Sequence, residues 1–121
     1  MIINMKNKIE FKEFLELESK LEIKVGTVTE VEDIPKPAKL VKLTVEFTPE
    51  DIRTVVTNIK PVLAAHDLDV KSELKGFQFL FVTNLVPTTM FGVESTAMIL
   101  PGQPEDGKLV RTTGVGGTKV L

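Results

Sequence analysis

An all-β barrel of short strands, with a short helix before it and an extension after it, is the fold class that this sequence predicts. Three observations carry that prediction. Apolar residues alternate with polar ones at period two in several short stretches, which is strand spacing rather than helix spacing. Turn-forming residues separate those stretches, an arrangement that suits a small closed barrel better than a parallel sheet. The chain has 121 residues, 42% of them hydrophobic, enough for one compact core and too few for two.

In chain order, Ile9, Phe11, Phe14, Leu15 and Leu17 follow a helical stripe with Lys and Glu on the remaining face, so a helix is predicted from Phe11 to Glu18. Leu21, Ile23 and Val25 then alternate, while Val28 and Val31 fall on the other parity and Gly26 stands at the change. A bulge or bend at Gly26, where a strand turns a barrel corner, reconciles the two. Pro35 and Pro37 mark a loop. Leu43, Val45 and Phe47 alternate with Lys42, Thr44 and Glu46, which predicts a strand with one wet face. Thr48-Pro49-Glu50-Asp51 is a turn, and residues 52–57 return as its hairpin partner. Residues 58–75 read as polar and irregular, with a short helical turn around 62–65.

Phe77, Phe79 and Phe81, with Leu80 and Val82 among them, are apolar on both faces. That is the pattern of a strand in the middle of a sheet, with the phenylalanines in the core rather than on a stacking platform. Asn84 breaks the run, Pro87 removes a backbone donor, and Gly92 permits a backbone shape that a β-carbon resists. Ser95 and Thr96 restart extended structure toward Met98, Ile99 and Leu100. After Pro101 come a turn, one more strand near 108–111, and a Gly-rich end expected to be loosely held. The expected organisation is therefore residues 1–20 as an N-terminal segment, 21–112 as the barrel domain and 113–121 as a flexible tail.

Composition narrows the function. A net charge of −2 gives no global attraction to polyanions, so binding to nucleic acid must rest on a local basic patch. The absence of cysteine removes thiol catalysis, disulfides and thiolate metal sites. Lys6, Lys8 and Lys12 alternate with Glu10 and Glu13 without a long apolar run, so no signal peptide or membrane span is expected and a cytoplasmic location follows. His66-Asp67-Leu68-Asp69 offers one imidazole and two carboxylates, short of the three or four convergent ligands of a competent site, and reads as a loop cap or solvated turn. The sequence Gly114-Val115-Gly116-Gly117-Thr118-Lys119 lacks phosphate-loop spacing. No enzyme, metal or cofactor is expected.

The segment from Asn84 to Met98 carries the most specific signal. Asn84, Leu85, Pro87, Met90, Gly92, Val93, Glu94, Ser95 and Met98 resemble the signature N-L-x-P-x-x-M-x-G-V-E-S-x-x-M of the tRNA-binding OB-fold domain family. Leu21-Glu22-Ile23-Lys24-Val25-Gly26-Thr27-Val28 is similar to that family's opening strand, and Arg53-Thr54-Val55-Val56-Thr57-Asn58 to its R-x-V-V-S-G. The likeness runs over residues 9–100. The family includes stand-alone proteins, domains appended to methionyl- and tyrosyl-tRNA synthetases, part of the bacterial phenylalanyl-tRNA synthetase β subunit, and a bacterial secretion chaperone. Its fold would be a five-stranded OB barrel. In one respect this chain departs from it: Val86, Thr89 and Phe91 stand where the family's loop usually carries basic residues.

Two functions follow from the resemblance. One is a module that holds tRNA or other structured RNA by shape and backbone, accessory to aminoacylation or tRNA handling. Lys24, Lys39, Lys42 and Arg53, sharing one rim, would then form the RNA face, with Asn84 and Ser95 as hydrogen-bond donors at its edge and Met90 and Phe91 in the adjoining loop. The other is a chaperone-like OB domain in which Val86, Phe91 and neighbouring apolar surface meet a partner or unfolded polypeptide. A homodimer is expected in either case, because stand-alone members of the family commonly pair and the apolar helix exceeds what one small barrel covers.

Overall fold

The computed structural model describes residues 5–102 and 106–121. Helix α1 (Phe11–Glu18) is followed by strands β1 (Ile23–Asp33), β2 (Val41–Thr48) and β3 (Asp51–Thr57), short helices α2 (Lys60–Ala64) and α3 (Val70–Leu74), and strands β4 (Gln78–Val82), β5 (Thr88–Met90), β6 (Val93–Ser95) and β7 (Met98–Leu100). The helix stands over the residues its apolar stripe predicts. Five strands form one antiparallel sheet in the order β3-β2-β1-β4-β7, and β5 and β6 form a separate hairpin.

The sheet curls because its two edges are drawn together. Thr96 N–H donates to Thr54 O at 3.2 Å, and Val56 N–H donates to the Ser95 hydroxyl at 3.1 Å, so the chain between β6 and β7 meets the free edge of β3. Joining the edges also satisfies backbone groups that an open edge would expose. Inside, Val28, Leu43, Val45, Phe47, Val55, Phe79 and Phe81 are buried. Phe47 meets Phe81 edge-on with centroids 5.5 Å apart. The strict alternation along β2 is the one that its sequence predicts, and β4 lies between β1 and β7 as its two-faced apolarity requires.

The structure corrects five expectations. The register shift in β1 falls between Val28 and Glu30, opposite β2, and not at Gly26. Gly26 serves another purpose: a β-carbon there would lie 2.7 Å from Val45, 2.8 Å from Phe47 and 2.9 Å from Phe81, so its lack of a side chain makes room for the core aromatics. Residues 58–75 are less irregular than expected: the helical turn around 62–65 overlaps α2, α3 follows it, and Leu63, Val70 and Leu74 join the core.

Residues 108–111 form no strand. Val110 N–H donates to Pro101 O, while the Arg111 guanidinium lies 3.7 Å from the Phe77 ring centroid and pairs with Glu73 at 2.9 Å. Side chains rather than a backbone ladder fasten this stretch, and they leave Phe77 at the surface instead of in the core. The Gly-rich end is hydrogen-bonded to β1: Gly117 N–H donates to Val25 O, Val25 N–H to Thr118 O, and Val120 N–H to Ile23 O, at 2.7–3.0 Å. Gly116 passes so near Phe47 O that a β-carbon would stand 2.6 Å from it, an approach only glycine allows.

Candidate nucleic-acid interface

Arg53 pairs with Val45 across β2 and β3, which puts it on the core side, and its position near the start of β3 brings it to the end of the barrel. Its guanidinium lies 5.3 Å from the Phe47 ring centroid. It holds both Asp51 carboxylate oxygens, at 2.8 and 3.2 Å, and donates to Thr83 O at 2.7 Å. The hydrogen bond from Arg53, reinforced by its charge, keeps the Asp51 carboxyl below its ordinary range against the opposing effect of burial. Thr83 extends the network by donating to Glu22 Oε1 at 2.7 Å, and Lys24 stands 3.4 Å from the same oxygen. Glu22 is accordingly held below its ordinary range, first by the Thr83 hydroxyl and then by Lys24 and Lys119.

Lys24 and Arg53 thus meet at one end of the barrel, and Lys119 joins them by bridging to Lys24 from the C-terminal segment. Sequence reasoning missed Lys119. Nothing local signals it, because its place depends on the tail folding back along β1.

Lys39 and Lys42 are not on that rim. Lys42 lies opposite Glu32 on the outer face, 4.0 Å from its carboxylate. Glu32 is eight residues beyond Lys24 on β1, roughly 26 Å at ~3.3 Å per residue. Lys39 is exposed in the loop between β1 and β2. Among the described residues, neither Lys36 nor Lys39 has a carboxylate within 4 Å. The outer face of β1 and β2 also carries Glu30 and Glu46. The four expected contacts therefore divide between two ends of the barrel, with an acidic face between.

Asn84 and Ser95 are engaged inside the protein. Asn84 Oδ1 accepts from Glu22 N–H at 2.9 Å and its amide donates to Lys20 O at 2.7 Å, tying the entry of β1 to the exit of β4. Ser95 is buried, accepts from Val56 N–H, and donates to Ala97 O at 3.2 Å. Both side chains thereby hold the loop in place.

Met90 and Val93 face each other across the β5–β6 hairpin and pack on Ile34, Leu40 and Val56, a small second core on the outer face of the sheet. Beside it runs an apolar groove of about 380 Å³ whose lining includes Leu40, Val56, Ile59, Met90 and Met98. At the hairpin tip, Phe91 and Gly92 both have positive φ, +50° and +81°, and Phe91 is 67% exposed.

A family model described as "Putative tRNA binding domain" matches residues 23–118. The chain belongs to this family. It is 39% identical over 84 residues to a methionine–tRNA ligase of Methanococcoides burtonii, covering 69% of this chain and 11% of the ligase. With the ligase of Porphyromonas gingivalis it shares 39% identity over 101 residues, 84% of this chain and 13% of the ligase. The chain therefore spans only about a tenth of the curated relatives it matches. Among solved structures, the MetRS-related protein from Pyrococcus horikoshii superposes with a TM-score of 0.73 at 34% identity, covering 96% of this chain and 100% of that one. The CsaA chaperone from Bacillus anthracis gives 0.66 at 24% identity, covering 95% and 100%, a likeness of fold. Among the described residues no cluster of three or more potential ligands is placed to hold a metal ion, and no helix is long and apolar enough to cross a membrane.

Proposed function

We propose that this chain is a non-catalytic module that binds tRNA by shape and backbone contacts and assists aminoacylation or tRNA handling in the cytoplasm, with no cofactor. The observation that carries this reading is the family membership over residues 23–118. Lys24, Arg53 and Lys119 at one end of the barrel, and Lys39 and Lys42 toward the other, are the cations that would meet phosphate. Of these, Lys39 and Lys119 are exposed and form no ion pair among the described residues. Arg53 is half-neutralised by Asp51 and orders the barrel end as much as it attracts RNA.

Mobility shifts with bulk tRNA at low salt test this. Binding should appear at low salt and fall as salt rises, with a slope of roughly −0.7 to −0.9 in log affinity against log salt for each phosphate neutralised. Lys39→Glu should weaken all tRNAs alike and flatten that slope, because phosphate contacts position a protein without reading sequence. No shift even at low salt would sink the reading.

A second reading, binding of polypeptide, draws on the apolar groove beside Met90 and Met98 and on the fold shared with the CsaA chaperone. Capture of an unfolded polypeptide without any tRNA binding would favour it. Either way we propose a homodimer, since α1 buries none of its residues and Phe11, Phe14, Leu15 and Leu17 are all exposed. Light scattering behind a sizing column should report twice the 13.4 kDa of one chain; a monomer at micromolar concentration would count against it.

A further inference from the structure

The tip of the β5–β6 hairpin combines three features that its fold does not require. The turn joining Met90 to Val93 has two residues, Phe91 and Gly92, both with positive φ. That is the backbone of the tight hairpin turn for which Asn-Gly is the favoured pair. Gly92 suits it, whereas a bulky aromatic at φ +50° is a real outlier and stores strain. The strain is not offset by burial, since Phe91 leaves 67% of its surface exposed. Nor is the tip loose: Met90 and Val93 anchor it on Ile34, Leu40 and Val56.

The surroundings narrow the ligand. Between Lys75 and Lys108 the sequence has no lysine or arginine, so this hairpin has no cation to offer a phosphate. Behind the Met90–Val93 pair that closes the turn stands a facing polar pair, Thr89 and Glu94. A single flat apolar ring, exposed on a rigid arm, matches a nucleobase, which has a π-face to cover.

Resting on the tRNA-binding reading, we propose that Phe91 is a base-stacking contact, which takes the face of an unpaired or end-exposed base while the lysines elsewhere hold the backbone. The hairpin thus supplies a salt-independent contact where the family's basic residues are missing. Backbone strain is retained at Phe91 because the ring serves the ligand rather than the fold.

The chain contains neither Trp nor Tyr, so Phe91→Trp places a sole fluorophore at the tip. Its affinity for tRNA should stay within about twofold of the wild type, and its emission should be quenched as tRNA is added. Phe91→Asn restores the favoured turn pair; its melting temperature should equal or exceed the wild type's while tRNA affinity falls roughly 5- to 150-fold, the equivalent of about 1–3 kcal/mol for one stacked base. The salt slope should not change. Equal affinity of wild type and Phe91→Asn, or an unquenched tryptophan in a complex that forms, overturns the stacking contact while leaving tRNA binding intact. A lower melting temperature in Phe91→Asn would assign Phe91 to hairpin support and overturn the proposal as well. Quenching by a denatured polypeptide but not by tRNA would assign the ring to a protein partner. Failure of the wild type to bind tRNA at low salt would instead remove the reading beneath it.

Discussion

The foot and the tip of the β5–β6 hairpin belong to one motif and behave oppositely. At the foot, Ser95 is buried and hydrogen-bonded to Val56 and Ala97, and Asn84, just before the hairpin, ties Lys20 and Glu22 to the end of β4. At the tip, Phe91 is exposed and adopts a backbone conformation that its side chain disfavours. Polar residues in a recognisable motif thus act as fasteners, whereas the apolar departures from the family's pattern, Val86 and Phe91, are left facing outward. Polarity alone does not mark a binding residue; what decides is whether the fold has already satisfied the group.

The largest effect is expected in the barrel interior, to which neither the foot nor the tip of the hairpin belongs. Phe81 is fully buried against Phe47, and Phe81→Ala should cost about 3–5 kcal/mol through lost transfer energy and the cavity left behind. Denaturant unfolding measures it directly. A loss below about 1 kcal/mol would mean that the barrel interior collapses around the gap and that Phe81 is not a core-forming residue of β4.

Ser95→Ala loosens the foot alone. It leaves Val56 N–H without its buried acceptor, a loss of about 1–3 kcal/mol. Asn84→Ala should lose less, since its partners are exposed and water can replace them. Under conditions where both variants stay folded, tRNA affinity should remain near that of the wild type. A large affinity loss in Ser95→Ala without a stability loss would reverse the assignment and return Ser95 to the ligand.

The sequence makes legible whatever depends on local period. The stripe from Phe11 to Leu17 gives α1 with its observed ends, and the alternation in β2 and the two-faced run in β4 give both strands and their places in the sheet. The helical turn expected around 62–65 overlaps α2, whereas α3 escapes because one turn and a half shows no period, even though Val70 and Leu74 are core residues. Contacts between distant parts of the chain escape for a different reason. Residues 114–121 carry no strand pattern, and their pairing with β1 depends on glycines that fit beside Phe47 O. The same limit applies to the site. Side-chain types identified Lys24, Lys39, Lys42 and Arg53 as cations, but only the register of β1, β2 and β3 shows that they occupy two ends, and only the folded tail adds Lys119.

The smallest expected effect lies at the barrel end, where charge and packing both hold Arg53. Asp51 has its carboxyl below the ordinary aspartate value of 3.8 because Arg53 hydrogen-bonds and attracts the ionised form. A depressed folded-state pKa contributes stability that is fully present above the unfolded value and is lost as pH falls through the folded value. The wild type should therefore exceed Asp51→Asn by about 1 kcal/mol or less at neutral pH, as expected for a partly exposed pair. That margin should hold down to about pH 4 and disappear at lower pH. Glu22 is shifted the same way, but both proteins carry it, so it cancels in the difference. Urea unfolding of the two proteins from pH 7 to pH 2 provides the curve. If the gap stays constant across that range, the Asp51 charge contributes nothing, and Arg53 is held by the Thr83 carbonyl and the Phe47 ring alone.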